Sequence, residues 1–72
     1  MICVDISDYV RSHGRDPKGR GLWMFQAATR VAGLGFLAVE RSFAGTYGEA
    51  RRKALGWVSA EFGRLASLKV LP

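Results

Sequence analysis

The chain has little of the chemistry that disulfides, metal sites and most catalytic sites require. Of its 72 residues only Cys3 is a cysteine and only His13 is a histidine. One cysteine cannot form an intramolecular disulfide, and one cysteine with one histidine cannot complete a closed zinc site. His13 stands beside Gly14 at the end of a short helical pattern, where interaction with the last helix carbonyls is the ordinary role of a histidine. We therefore expect no catalytic residue, no metal, no cofactor and no enzymatic activity, and a reducing cytoplasm as the compartment.

Signals for export and membrane insertion are also missing. The N-terminus lacks the basic and then apolar order of a signal peptide. The long apolar stretch over residues 22–39 contains Gln26, Arg30 and two glycines. An arginine near the centre of a membrane-spanning helix costs about 2.5–3.5 kcal/mol. The sequence therefore predicts a cytoplasmic protein with no membrane partner.

What the chain does have is positive charge. Eleven lysines and arginines stand against six acidic residues, which gives a net charge of +5. The length predicts one compact domain over residues 1–72, and a domain of this size buries only about 60% of its unfolded surface. Such a chain acts through its outer surface or completes its core by pairing with a second copy. Its charge favours an anionic partner, which could be nucleic acid, an anionic membrane face or an acidic protein surface, and charge alone does not choose among the three.

Residues 46–63 have the pattern of an amphipathic helix. Thr46 and Glu49 have the spacing of a capping box at its start, and Gly63 provides the stop. Apolar side chains recur at steps of three and four and predict one buried face, with polar and small side chains on the other. The buried face comprises Tyr47, Ala50, Ala54, Trp57, Val58 and Phe62, and the outward face comprises Glu49, Arg52, Lys53, Gly56, Ser59 and Ala60.

The other segments predict a short helix and three strands. A helix capped by Asp5 ends at Gly14, and alternation of apolar residues predicts a hairpin of strands 22–31 and 36–43. A helix over residues 23–32 stays open as the alternative, and residues 65–71 predict the last strand. The fold class is therefore α+β in the order α-β-β-α-β. Its three-stranded, mainly antiparallel sheet has the first strand in the centre and both helices packed on one face.

Two groups of basic residues form the candidate binding site. One lies in and just before the loop 14–21, which lacks the spacing and the ending of a Walker A loop, and the other lies on the outward face of the long helix. Gly56 marks a place where a partner could come close, because glycine inside a helix costs about 1 kcal/mol relative to alanine. Arg51 lies nearer the apolar edge, where Glu40 could pair with it. A solvated loop and helix face would explain the same charges without a ligand. The predicted partner-binding or nucleic-acid-binding residues are Arg11, Arg15, Lys18, Arg20, Arg52, Lys53 and Gly56.

Two segments resemble the short accessory proteins of phages and mobile elements, including anti-CRISPR inhibitors. They are Leu22-Trp-Met-Phe and Gly45-Thr-Tyr-Gly-Glu-Ala-Arg-Arg-Lys-Ala-Leu, taken together with the small size. The resemblance implies an inhibitor that binds a protein or nucleoprotein complex that processes nucleic acid and blocks its nucleic-acid or partner site. It gives no single residue a role. Two alternatives stay open, which are direct binding of DNA or RNA through loop 14–21 and helix 46–63, and a homodimeric structural module.

Overall fold

Two helices pack on one face of a four-stranded sheet in the computed structural model, which describes residues 3–31, 33, 35–63 and 66–72. In chain order the elements are β1 (Val4–Asp5), α1 (Ser7–His13), β2 (Arg20–Val31), β3 (Gly35–Thr46), α2 (Tyr47–Glu61) and β4 (Ser67–Val70). The sheet has the order β1-β4-β2-β3, with β1 parallel to β4 and the other neighbours antiparallel. Neither helix has the length and apolar character needed to cross a membrane.

The α+β class, the hairpin and the position of the last strand beside β2 are confirmed, whereas the predicted sheet of three mainly antiparallel strands and the order α-β-β-α-β are wrong. The missing strand is β1, which pairs in parallel with Leu68 and Lys69 of β4. A strand of two residues shows no alternation of side chains, so the sequence could not predict β1. It forms because it can pair with the free edge of β4. Residues 64–65, at and before the predicted start of the last strand, lie outside the described residues.

The β2–β3 hairpin gives the sheet its two faces. Each residue from Arg20 to Val31 has a partner on β3, and directly opposite residues point to the same face. The face that carries Trp23, Phe25 and Ala27 lies under the helices, as the alternation predicts. The other face has no helix on it, and we call it the open face. It carries Leu22, Met24, Gln26, Ala28 and Arg30 of β2 and Phe36, Ala38, Glu40 and Ser42 of β3. The helical alternative for residues 23–32 is therefore wrong.

The long helix α2 starts and stops at the predicted residues. Thr46 Oγ1 accepts from the backbone N–H of Glu49 at 3.2 Å, and Glu49 Oε1 accepts from the N–H of Thr46 at 2.9 Å, which completes the capping box. Gly63 takes a left-handed φ of +81° after the last turn, and its N–H donates to the carbonyl of Val58. Four members of the predicted inner face, Ala50, Ala54, Trp57 and Val58, are buried, which confirms that face.

The short helix α1 also ends where glycine predicts it. Gly14 has a φ of +72° and donates its N–H to the carbonyl of Val10. Asp5 is not the N-cap residue, because Ile6 occupies that position, but the Asp5 carboxylate accepts from the N–H of Ser7 at 2.9 Å. Asp5 therefore supports the first turn from the end of β1.

Aromatic side chains join both helices to the sheet. The ring of Tyr9 in α1 lies 5.6 Å from that of Trp23, and Trp23 lies 5.2 Å from Tyr47 at the start of α2. Farther along α2, Trp57 lies 6.0 Å from Phe43 of β3. This chain of contacts confirms that the helices share one face. Phe25, Leu68, Val58 and Val70 are the largest fully buried side chains.

Loss of a core side chain should destabilise the fold. Leu68 is 1% exposed, and Leu68→Ala should lower the free energy of unfolding by about 2–5 kcal/mol through lost burial and a cavity. The matched control is Leu22→Ala, since Leu22 is 70% exposed, and it should change stability by less than about 0.5 kcal/mol. Urea denaturation followed by circular dichroism measures both. Equal losses in the two variants would contradict this description of the core.

Candidate functional site

The basic loop meets the start of α2. The backbone N–H of Tyr47 donates to the carbonyl of Gly19 at 2.9 Å, which ties the end of the loop to the first residue of the helix. Lys18 and Arg20 flank Gly19, and Arg20 is also the register partner of Thr46 across the hairpin. The exposed cations of the loop's end are therefore held beside the N-terminus of α2.

The surroundings of the Glu49 carboxylate show which side-chain charges come together at the start of α2. The hydrogen bonds with Thr46, through its backbone first and its hydroxyl second, hold the pKa of Glu49 below the usual range, and the charges of Arg20 and Lys53 lower it further. The ammonium group of Lys53 also lies 3.4 Å from the carbonyl oxygen of Ala44. One cation from the loop and one from the helix thus act on the same carboxylate. Arg20 of the predicted loop group and Lys53 of the predicted helix group therefore belong to one surface.

Arg51 belongs to the same region, although the sequence suggested that it pairs with Glu40. Partial burial raises the pKa of Tyr47, and the charge of Arg51 opposes that rise, which places Arg51 near the phenol. Glu40 lies on the open face, on the other side of the sheet from α2, so the expected pair with Arg51 is wrong. The spacing of four residues between Tyr47 and Arg51 was the signal that could have indicated their contact. We call Lys18, Arg20, Arg51, Arg52 and Lys53 the α2 basic cluster.

The α2 basic cluster is exposed and forms no ion pair among the described residues. Arg51, Arg52 and Lys53 follow one another in the second turn of α2. The ion pairs of the described residues both use Asp8, which lies 3.5 Å from Arg11 and 3.1 Å from Lys69. Within the described part of the chain, Glu49 is the carboxylate on which charges of the cluster act.

Three of the predicted site residues lie outside this cluster, in which Arg20 and Lys53 act on Glu49 and Lys18 and Arg52 are included as their neighbours in the chain. Arg11 is bound to Asp8 beside β4, on the other side of β2 from α2. Arg15 is exposed in the loop, with no hydrogen bond to α2 within the described ranges. Gly56 is exposed on the outward face of α2, and an added Cβ there would meet nothing within 4 Å. Close packing inside the chain therefore does not explain this glycine.

Two further arginines lie on aromatic rings. The guanidinium carbon of Arg41 lies 5.1 Å from the ring centre of Phe43 and 5.7 Å from that of Trp57. Arg30 lies 5.4 Å from the ring centre of Phe36 on the open face. Cations at these distances gain from the electron-rich ring faces. Arg41 thus covers core aromatics and is part of the fold rather than of the α2 basic cluster.

A second surface lies along the first residues of β2, beyond the part of that strand that pairs with β4. A groove of about 290 Å³ runs there between α1 and the exposed side chains of Leu22 and Met24. On the α1 side, His13 stacks on Tyr9 with ring centres 4.1 Å apart. In the described part of the chain, no three His, Cys, Asp or Glu side chains come together as a metal site would require.

The two surfaces suit different ligands. The α2 basic cluster attracts anions, because its five exposed cations lie at the end of the loop beside the start of α2 and in the second turn of that helix. The groove offers apolar contact. Comparisons with protein-family models, with curated proteins and with solved structures give no match to this chain. The geometry and charge of these two surfaces are therefore the grounds for a functional proposal.

Protonation of Glu49 should weaken the fold. Because the pKa of Glu49 is lowered in the folded protein, its contribution to stability is present above the ordinary glutamate pKa and is lost as the pH falls through the folded value. Glu49→Gln should therefore melt at a lower temperature than the parent at neutral pH, and the two melting temperatures should converge in acid. The control is Asp16→Asn, an exposed loop substitution for which no such convergence is expected. Melting curves that stay equally far apart at every pH would contradict this role of Glu49.

Proposed function

We propose that the chain is a small, non-enzymatic protein that binds nucleic acid directly and contacts the phosphate backbone through the α2 basic cluster. The observation that carries the proposal is the position of the cations, which lie at the end of the loop beside the start of α2 and in the second turn of that helix, and which have no ion-pair partners among the described residues. Phosphate contacts of this kind set affinity and orientation without reading the base sequence.

The charge distribution along α2 serves the helix only in part, through Lys53, which lies four residues after Glu49 and acts on its carboxylate. Cations are favoured at the C-terminus of a helix and disfavoured near its N-terminus, with effects of about 0.3–1 kcal/mol at the ends. In α2 the last turn contains no basic residue and ends with Glu61, whose carboxylate accepts from Trp57 Nε1 at 2.9 Å. Arg51, Arg52 and Lys53 lie instead in the second turn. An anionic ligand at the start of α2 gives Arg52 a role that helix stability does not.

The first turn of α2 also leaves room for a phosphate. Gly48 is exposed, and a Cβ added there would meet nothing within 4 Å. Backbone N–H groups at a helix N-terminus bind anions well because they point outward and have no partners within the helix. The charges of Arg20 and Lys53 both act on Glu49 in this turn. The N–H groups of Tyr47 and Glu49 already donate to the Gly19 carbonyl and to Thr46 Oγ1, so a phosphate group would meet the N–H of Gly48 together with the side-chain cations.

Binding to a labelled DNA duplex should be steeply dependent on salt. Three neutralised phosphates would lower the affinity roughly 40-fold between about 50 and 200 mM salt. The double substitution Lys18→Gln with Arg52→Gln should weaken binding. It should also reduce the slope of log affinity against log salt concentration by about 2, since two phosphate contacts are lost. Arg11→Gln is the matched control, since it removes an exposed positive charge that is bound to Asp8, and it should bind nearly as the parent does. Fluorescence anisotropy measures all three.

Two outcomes would contradict direct binding. One is the absence of any anisotropy change at low salt and micromolar protein. The other is an affinity that the double substitution leaves unchanged while Arg11→Gln lowers it, because the contact surface would then lie near α1.

The inhibitor function is the second candidate, and the apolar groove favours it. Leu22 is 70% exposed and Met24 is 45% exposed, side by side on a sheet face without a helical cover. Exposed apolar side chains that cluster are typical of protein-protein contact sites. An inhibitor of the anti-CRISPR kind would use this surface against a nucleic-acid-processing complex. In strains that each carry one CRISPR–Cas system, the parent should raise the plating of a targeted phage, and Leu22→Asp with Met24→Asp should abolish the effect. No rise in any strain, or full activity of the double variant, would contradict this candidate.

A further inference from the structure

The outer edge of the sheet is formed by β3, and its backbone groups can be assigned to one side or the other. The N–H of Leu71 donates to the carbonyl of Met24, so the backbone groups of Met24 point toward β4. Successive residues of a strand point their backbone groups to opposite sides, so Trp23 points toward β3, and its partner Phe43 points back. The even-numbered residues of β3 therefore point their N–H and C=O groups outward, away from β2.

Side chains of α2 block one end of this edge. Lys53 donates to the outward carbonyl of Ala44, and Glu49 accepts from the outward N–H of Thr46. Nearer the start of β3, no described residue bonds to the outward backbone groups of Phe36, Ala38 and Glu40. Unpaired edges of this kind bind further strands, and proteins commonly cover or interrupt them. The edge is thus closed at residues 44–46 and open at residues 36–40.

We propose that the open part of β3 binds the same segment of a second copy of this chain. The two β3 strands would pair antiparallel around a two-fold axis at Ala38, over residues 35–41. The two sheets would then become one continuous sheet with all helices on the same face. Phe36, which is 72% exposed, and Leu37, which is 47% exposed, would gain neighbours across the new edge. A second copy fits because the segment is complementary to itself.

The side chains select the register centred on Ala38. A two-fold axis at Glu40 would place two carboxylates directly opposite each other, and an axis at Arg41 would do the same with two guanidinium groups, which is destabilising. An axis at Val39 would set Leu37 against the partner's Arg41. With the axis at Ala38, Leu37 faces the partner's Val39 on the helical side.

The same register makes the open face complementary in charge. Phe36 would lie opposite the partner's Glu40, and Arg30 already extends over the Phe36 ring from β2. Neighbouring strands are about 4.8 Å apart, so Arg30 and the partner's Glu40 would be separated by one strand, within reach of two long side chains. The two-fold axis repeats this pair. Charge reversal at either residue should therefore weaken the dimer, and reversal at both should restore it.

Analytical ultracentrifugation of the full chain tests the proposal. The parent should show a concentration-dependent shift from the 7.9 kDa monomer to the dimer. Arg30→Glu and Glu40→Arg should each raise the dimer dissociation constant about tenfold, since each creates two like-charge pairs. A mixture of the two variants should form a heterodimer with the parent's affinity, because both cross-strand pairs are then attractive.

A backbone variant tests the strand pairing itself. Ala38→Pro removes an outward N–H that β2 does not use, and proline is tolerated on edge strands, so this variant should fold and stay monomeric. Ala38→Ser is the control and should dimerise as the parent does. A parent that stays monomeric at all concentrations would overturn the proposal. Dimers that persist in Ala38→Pro, or a variant mixture that fails to form heterodimers, would also overturn it.

Discussion

The exchange of hydrogen bonds between Thr46 and Glu49 fixes the point where β3 stops and α2 starts. Both the α2 basic cluster and the exposed edge of β3 depend on that point. It brings Tyr47 onto Trp23 and lets the Tyr47 N–H hold the loop at Gly19. The hydrogen bond from the Thr46 N–H occupies the Glu49 carboxylate, which would otherwise form an ion pair with the surrounding cations. It also uses the outward N–H of Thr46, so the capping box both organises the α2 basic cluster and closes one end of the sheet edge.

The two proposed surfaces do not compete for space. The α2 basic cluster lies at the end of β3 that the capping box closes, and the open edge is centred on Ala38, eight residues earlier. At about 3.3 Å per residue, the two-fold axis proposed at Ala38 would place the two clusters of a dimer roughly 50 Å apart on the same face. Two cation clusters on one face can engage one long polyanion together, and that gain in effective concentration requires no further contact.

Patterns of short period predicted most of the fold, and contacts between distant segments decided the rest. Alternation gave the faces of the hairpin, and the helical period gave the buried side of α2. Gly45 lies within β3 with a φ of +126°, where an added Cβ would stand 3.0 Å from Glu49 Oε1. The glycine therefore makes room for the capping carboxylate. Of the α2 basic cluster, the sequence predicted Lys18, Arg20, Arg52 and Lys53 as candidate binding residues. Sequence spacing could not show that Arg11 is bound to Asp8 or that Arg51 joins the cluster.

Amide chemical-shift mapping on the ¹⁵N-labelled chain is the most direct test that α2 carries the nucleic-acid contact. On titration with a short DNA duplex at low salt, the largest shifts should appear at Gly19, Arg20, Gly48 and Arg52, and they should shrink as salt is added. The amides of Leu22 and Met24 should move little. Shifts concentrated along Leu22 and Met24, with the start of α2 unchanged, would contradict the account.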